Sequence, residues 1–151
     1  MTNDALDRLQ EHYLRFVIAE GAAFEEKFGK TARRFFDQLP VLFHMYRRLS
    51  LDLELSSGAR RLASAALIYM IETDDFLREG AISAAESSID DVWVGFEFLR
   101  RLRSAVDDER IARHVNPAAA FETLTTLAEN IDTIAEHVPP RILEKLLQFV
   151  S

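Results

Sequence analysis

The stretch "NPAAAFETLTTLAENIDTIAEHVPP", Asn116–Pro140, reads in only one way. Asn116 is a side chain that caps a helix start, and Pro117 fits the first turn, where its missing N–H costs nothing. Phe121, Leu124, Leu127, Ile131, Ile134 and Val138 then recur at spacings of three and four. That is the period of an amphipathic helix with one apolar stripe. Pro139 and Pro140 end it.

The same grammar extends outward in both directions. After the prolines, "RILEKLLQFV" predicts a last short helix. Upstream, Ser88 precedes a helix from Ile89 to about Ser104 with Val92, Trp93, Phe96 and Leu99 on its apolar side, and Asp107–His114 either continues it or forms a separate piece. Ser57–Ile71 carries Leu62, Ala65, Ala66, Tyr69 and Met70, and its small residues allow close helix approach, which predicts a central position. Pro40 opens "PVLFHMYRRL", closed by Arg47 and Arg48, where cations suit the helix dipole. A first helical stretch runs from about Asp4 to Gln38, with Gly21 and Gly29 as points where it can bend or split, since glycine weakens a helix by about 1 kcal/mol relative to alanine. Glycine and proline are scarce, and no repeat or low-complexity linker interrupts the pattern. The expectation is an all-α fold, a single-domain helical bundle of six or seven helices spanning residues 1–151.

Composition narrows the function classes. The chain is 48 % hydrophobic, enough for a sizeable core, and 28 % charged, as in ordinary globular proteins. The longest uncharged run, "LASAALIYMI", is about half the length a bilayer core requires, so no membrane span is expected. The N-terminus shows no charged start followed by an apolar stretch, so no secretory signal is read, and cytoplasm is the default location. With no cysteine, disulfides, thiol catalysis and thiolate metal sites are excluded.

The net charge of −7 sits mainly in residues 51–100, which carry ten acidic and four basic side chains. An acidic chain is a poor partner for nucleic acid, where affinity comes from neutralising phosphates. The arginine doublets Arg33–Arg34, Arg47–Arg48, Arg60–Arg61 and Arg100–Arg101 read as helix-end cations or partners of the abundant acids. His12, His44, His114 and His137 show no pairing at i, i+4, and no HExxH pattern exists, which speaks against zinc. No nucleophile elbow or phosphate-cradling glycine loop is present. The eleven phenylalanines, with Trp93 and three tyrosines, are expected in the core, with an apolar ligand pocket as the lesser reading.

One segment concentrates the acids: "IYMIETDDFLREG", Ile68–Gly80, followed by "SSIDD". Thr73 before Asp74 and Asp75, and Ser88 three residues ahead of Asp91, match helix starts in which acids favour the dipole. The other reading joins Asp75, Glu79, Asp90 and Asp91 across the turn as hard oxygen ligands for Mg²⁺, Mn²⁺ or Ca²⁺.

The run "YMIETDDFLREG…SIDDVWVGFEFLRRL", roughly residues 62–102, resembles the signature of the YkvA-like domain of unknown function. Asp75 and Glu79 stand at the positions of that family's first two acids, Asp90 and Asp91 at its paired aspartates, and Tyr69 and Ile71 at the end of the preceding helix. Thr73 and Arg78 stand where prolines are usual, and Glu79 replaces an aspartate. The resemblance implies a helical domain, and members are often called membrane-associated, for which the short apolar runs here offer no span.

The functional expectation is a non-enzymatic helical protein–protein interaction module that self-associates or binds a protein partner and needs no cofactor. The alternative is a divalent-cation-binding domain built on the four carboxylates, with phosphate-ester chemistry in which Arg78 meets the phosphate.

Overall fold

A computed structural model of the chain describes residues 3–71 and 88–150. These residues form an all-α bundle. In chain order the helices are α1 (Asn3–Phe28), α2 (Lys30–Phe36), α3 (Leu39–Leu49), α4 (Ser57–Ile71), α5 (Ile89–Leu102), α6 (Asp108–Ala112), α7 (Ala120–Glu129), α8 (Asp132–Ala135) and α9 (Pro140–Val150). Residues 107–114 hold α6, a separate turn of helix entered from an extended Asp107.

Gly29 splits the first stretch, because its φ of +95° lies where a side chain is strained. Gly21 does not break α1. The Arg33 guanidinium from α2 lies over it, 2.8 Å from where a β-carbon would stand. α3 begins at Leu39 with Pro40 in its first turn, and its last turn carries Arg47 and Arg48.

The long Asn116–Val138 helix is shorter than the stripe predicts. Helical structure begins at Ala120 and is interrupted at Asn130, whose side-chain amide donates to the Thr126 carbonyl at 2.8 Å. That bond offers the backbone a local alternative to the helix ladder. The apolar stripe itself survives the break, with Leu124, Leu127, Ile131, Ile134 and Val138 all buried.

The centre of the bundle is α5 rather than α4. Helices α2, α3, α4, α7, α8 and α9 all contact α5, whereas α4 sits at one side between α3 and α5 and leaves Ile68 more than half exposed. The cause is visible in composition: "IDDVWVGFEFL" offers bulky apolar groups on every face, and a helix apolar all round belongs inside. Gly95 lets α3 come close. A β-carbon there would lie 3.0 Å from Leu42 Cδ1, and the Tyr46 hydroxyl donates to the Gly95 carbonyl. Around it the core is aromatic, with Phe35 edge-on to Phe96 at 5.1 Å and Phe24 stacked on Phe36 at 4.3 Å. Among the described residues, no helix is long and apolar enough to cross a membrane.

Candidate functional site

The paired aspartates open α5 and face tyrosines. Asp90 is fully buried. Its Oδ2 accepts a hydrogen bond from the Tyr69 hydroxyl of α4 at 2.7 Å, and its Oδ1 accepts the Asp91 N–H at 3.0 Å. The Tyr13 hydroxyl of α1 lies 2.6 Å from the Met70 carbonyl and 3.3 Å from Asp91 Oδ2. Three helices thus meet at this corner through side chains that sequence spacing does not connect. A buried carboxylate is tolerated only when hydrogen bonds replace its hydration, which the tyrosine and a first-turn amide supply here.

Ser88 occupies the N-cap position of α5, but its side chain makes no capping bond, contrary to the capping-box pattern. The first-turn amide of Asp91 is met by Asp90 instead. Asp75 and Glu79 lie outside the described residues, so of the four acids only Asp90 and Asp91 have a described place. Among the described residues, no three His, Asp or Glu side chains are grouped to hold a metal ion.

A second charged feature was not visible in the sequence. Glu97, in the middle of α5, is 3 % exposed. It is flanked by Arg100, whose Nε and Nη2 both donate to it, and by Arg101 at 3.3 Å. Glu97 and Arg100 line a cleft of about 440 Å³ with Trp93, Asp132, Leu143 and Leu147. Glu129 on its rim pairs with Arg103 at 3.3 Å, and Asp132 adds to the negative field around Arg100. Carboxylates and guanidiniums here match one another. Two other doublets contribute one paired arginine each: Arg33 reaches Glu25 and Asp37, and Arg47 reaches Asp7 at 2.6 Å.

The third polar cluster braces the segment between α3 and α4. Asp52 Oδ2 lies 2.8 Å from His114 Nε2 and 3.7 Å from Arg110, which also pairs with Glu54. The His114 hydrogen bond, then the Glu54 backbone N–H, hold the Asp52 carboxyl below the usual carboxylate range. His44, on α3, meets Gln10 of α1 at 3.3 Å. Burial lowers the basicity of His44, and the charges of Arg48, Arg47 and His114 lower it further. Sequence spacing places Asp52 and His114 far apart, and no local pattern could have paired them.

Large apolar side chains also face outward. On α1, Leu14 and Ile18 are 51 % and 74 % exposed, while Tyr13, Val17 and Phe24 take the inward face. Leu14 borders a shallow groove of about 280 Å³ formed with Asp7, Gln10, Glu11 and Pro40. Leu51 and Leu53 project from the segment braced by Asp52 and Glu54.

Comparison of the chain with protein-family models, with curated proteins and with solved structures finds no match.

Proposed function

We propose that the protein is a non-catalytic helical interaction module that works by docking protein partners, a second copy of itself among them. The observation that carries this reading is the outward pair Leu14 and Ile18. They lie one turn apart on the longest helix, so they form a contiguous apolar step rather than scattered exposure. A helix presenting anchors at i and i+4 is the form in which amphipathic helices enter grooves or pair with one another. The polar clusters support the same reading, because each is spent on packing: Asp90 on Tyr69, Glu97 on Arg100 and Arg101, Asp52 on His114 and Arg110.

Sedimentation velocity over a hundredfold range of concentration tests it. The expected result is concentration-dependent association, abolished in Leu14→Lys/Ile18→Lys with the helical circular dichroism unchanged. A wild-type chain that stays monomeric throughout would remove self-association, and one whose association survives the double substitution would move the interface off α1.

A further inference from the structure

We infer that His44 is an acid-sensitive latch holding the N-terminal half of α1 against α3, closed near neutral pH and released as the imidazole takes a second proton. The argument begins with Gln10. Its Oε1 lies 3.4 Å from Arg47 Nη1 and 3.3 Å from His44 Nδ1. A guanidinium only donates, so the atom facing it is the amide oxygen, and the His44 nitrogen facing the same oxygen must carry a hydrogen. That fixes the neutral tautomer with the hydrogen on Nδ1. The other nitrogen, Nε2, is buried and has no hydrogen-bond partner.

Protonation places a hydrogen on Nε2, in a site that offers no acceptor. It also places a charge beside the cations Arg47 and Arg48 on α3 itself, with His114 facing it from the segment after α6, where the neighbours of that ring are Asp52 and Arg110. From α1 the facing groups are Gln10 and Asp7, and Asp7 is taken by Arg47 at 2.6 Å. Among the described residues, no carboxylate is hydrogen-bonded to His44 to neutralise the imidazolium. Burial and these charges both depress the basicity of His44. Releasing α1 removes Gln10, opens the site to water and returns the ring to an ordinary imidazole.

The direction follows from linkage. A histidine whose basicity is lower in the closed form binds more protons in the open form, so the open form gains as pH falls. Closure is at full strength above about pH 6.5, the ordinary imidazole value, and weakens from there downward until the closed form itself takes the proton. One such group changes the open-to-closed ratio by at most about tenfold per pH unit. Carboxylates in water ordinarily titrate at about pH 4, below this window.

Hydrogen exchange followed by mass spectrometry on the full chain between pH 7.5 and 5, corrected for intrinsic exchange rates, tests the latch. Peptides of α1 covering residues 4–20 should lose protection by up to about tenfold per pH unit below 6.5, while α5 peptides do not. His44→Asn keeps a donor toward Gln10 and cannot titrate, so it should flatten the α1 profile. His12→Asn, which removes the exposed imidazole on α1, should leave the profile as in the wild type. An unchanged wild-type profile across this range overturns the inference, as does an acid response that persists in His44→Asn. Should that variant fail to fold, the His44 ring titration by NMR in the wild type decides: a midpoint below 6.5 supports the latch, and one at or above 6.5 overturns it.

Discussion

Replacing Tyr69 by phenylalanine removes one oxygen and leaves the ring against Phe149, at 5.1 Å, in place. What changes is Asp90. Its Oδ2 loses the 2.7 Å hydrogen bond from the phenol while the carboxylate stays fully buried. Hydrogen bonds to charged groups contribute about 1.5–3 kcal/mol, and that range is the loss expected here. Proteins of this size lose roughly 2–4 °C in Tm per kcal/mol, so the expected fall is about 3–12 °C. Chemical denaturation of Tyr69→Phe, Asp90→Asn and the double variant completes a thermodynamic cycle. If the two groups hold each other, the double variant is less destabilised than the sum of the singles, by about 1 kcal/mol or more. Strict additivity, or a loss below about 0.5 kcal/mol in Tyr69→Phe, would refute the view that Asp90 is anchored by the phenol.

Other changes separate the remaining interactions. Tyr46→Phe removes a second donor from the buried Gly95 carbonyl, which keeps its helical bond, and should cost about 0.5–1.5 kcal/mol in urea unfolding, with helicity intact. Gly95→Ala and Gly21→Ala should differ in sign. The first drives a methyl onto Leu42 at 3.0 Å in the core, and overpacking of about 1–3 kcal/mol outweighs the gain of roughly 1 kcal/mol in helix propensity. The second displaces only the end of the Arg33 side chain, so thermal unfolding should show a gain of up to about 1 kcal/mol. On the interaction-module reading, EDTA followed by excess Mg²⁺, Mn²⁺ or Ca²⁺ should leave Tm unmoved, since a native-state ligand at a hundredfold excess over Kd would add about 2.7 kcal/mol. A saturable rise, lost in Asp91→Asn, would establish the cation site.

The fold was legible because helix punctuation is local. Pro40 in a first turn, Gly29 at a break and arginines in the last turns of α3 and α5 each act within a few residues of themselves. The apolar stripe from Leu124 to Val138 survived even where Asn130 interrupts its helix, because burial follows the side chains and not the hydrogen-bond ladder. What escaped was long-range. Which helix lies at the centre depends on how many neighbours each can cover, and α5 displaced α4 because its outward positions are as bulky as its inward ones. The partnerships Tyr69–Asp90, Asp52–His114 and Tyr13–Met70 span 21, 62 and 57 residues, distances at which spacing carries no signal. Glu97 carries a local signal after all: "GFEFLRR" places arginines three and four residues beyond it, the pairing that permits its burial.

The acidic corner therefore poses a narrower question than its composition implied. Helix-start acids need only a dipole, and exposed first-turn aspartates would serve that purpose. Asp90 goes further: it is fully buried and ties α4 to α5, while Asp91 meets a tyrosine from α1. A cation arriving at this pair would have to share carboxylate oxygens with two phenols and a backbone amide. Phenols and amides are neutral donors, and a divalent ion competes well with them for a carboxylate. The decisive contrast is between the two aspartates. Asp90→Asn strikes the tyrosine anchor directly and lowers stability whether or not an ion binds. Asp91→Asn touches the longer phenol contact, at 3.3 Å, and leaves the Tyr69–Asp90 bond in place. It is thus the substitution in which a lost metal response would report coordination rather than a loosened corner.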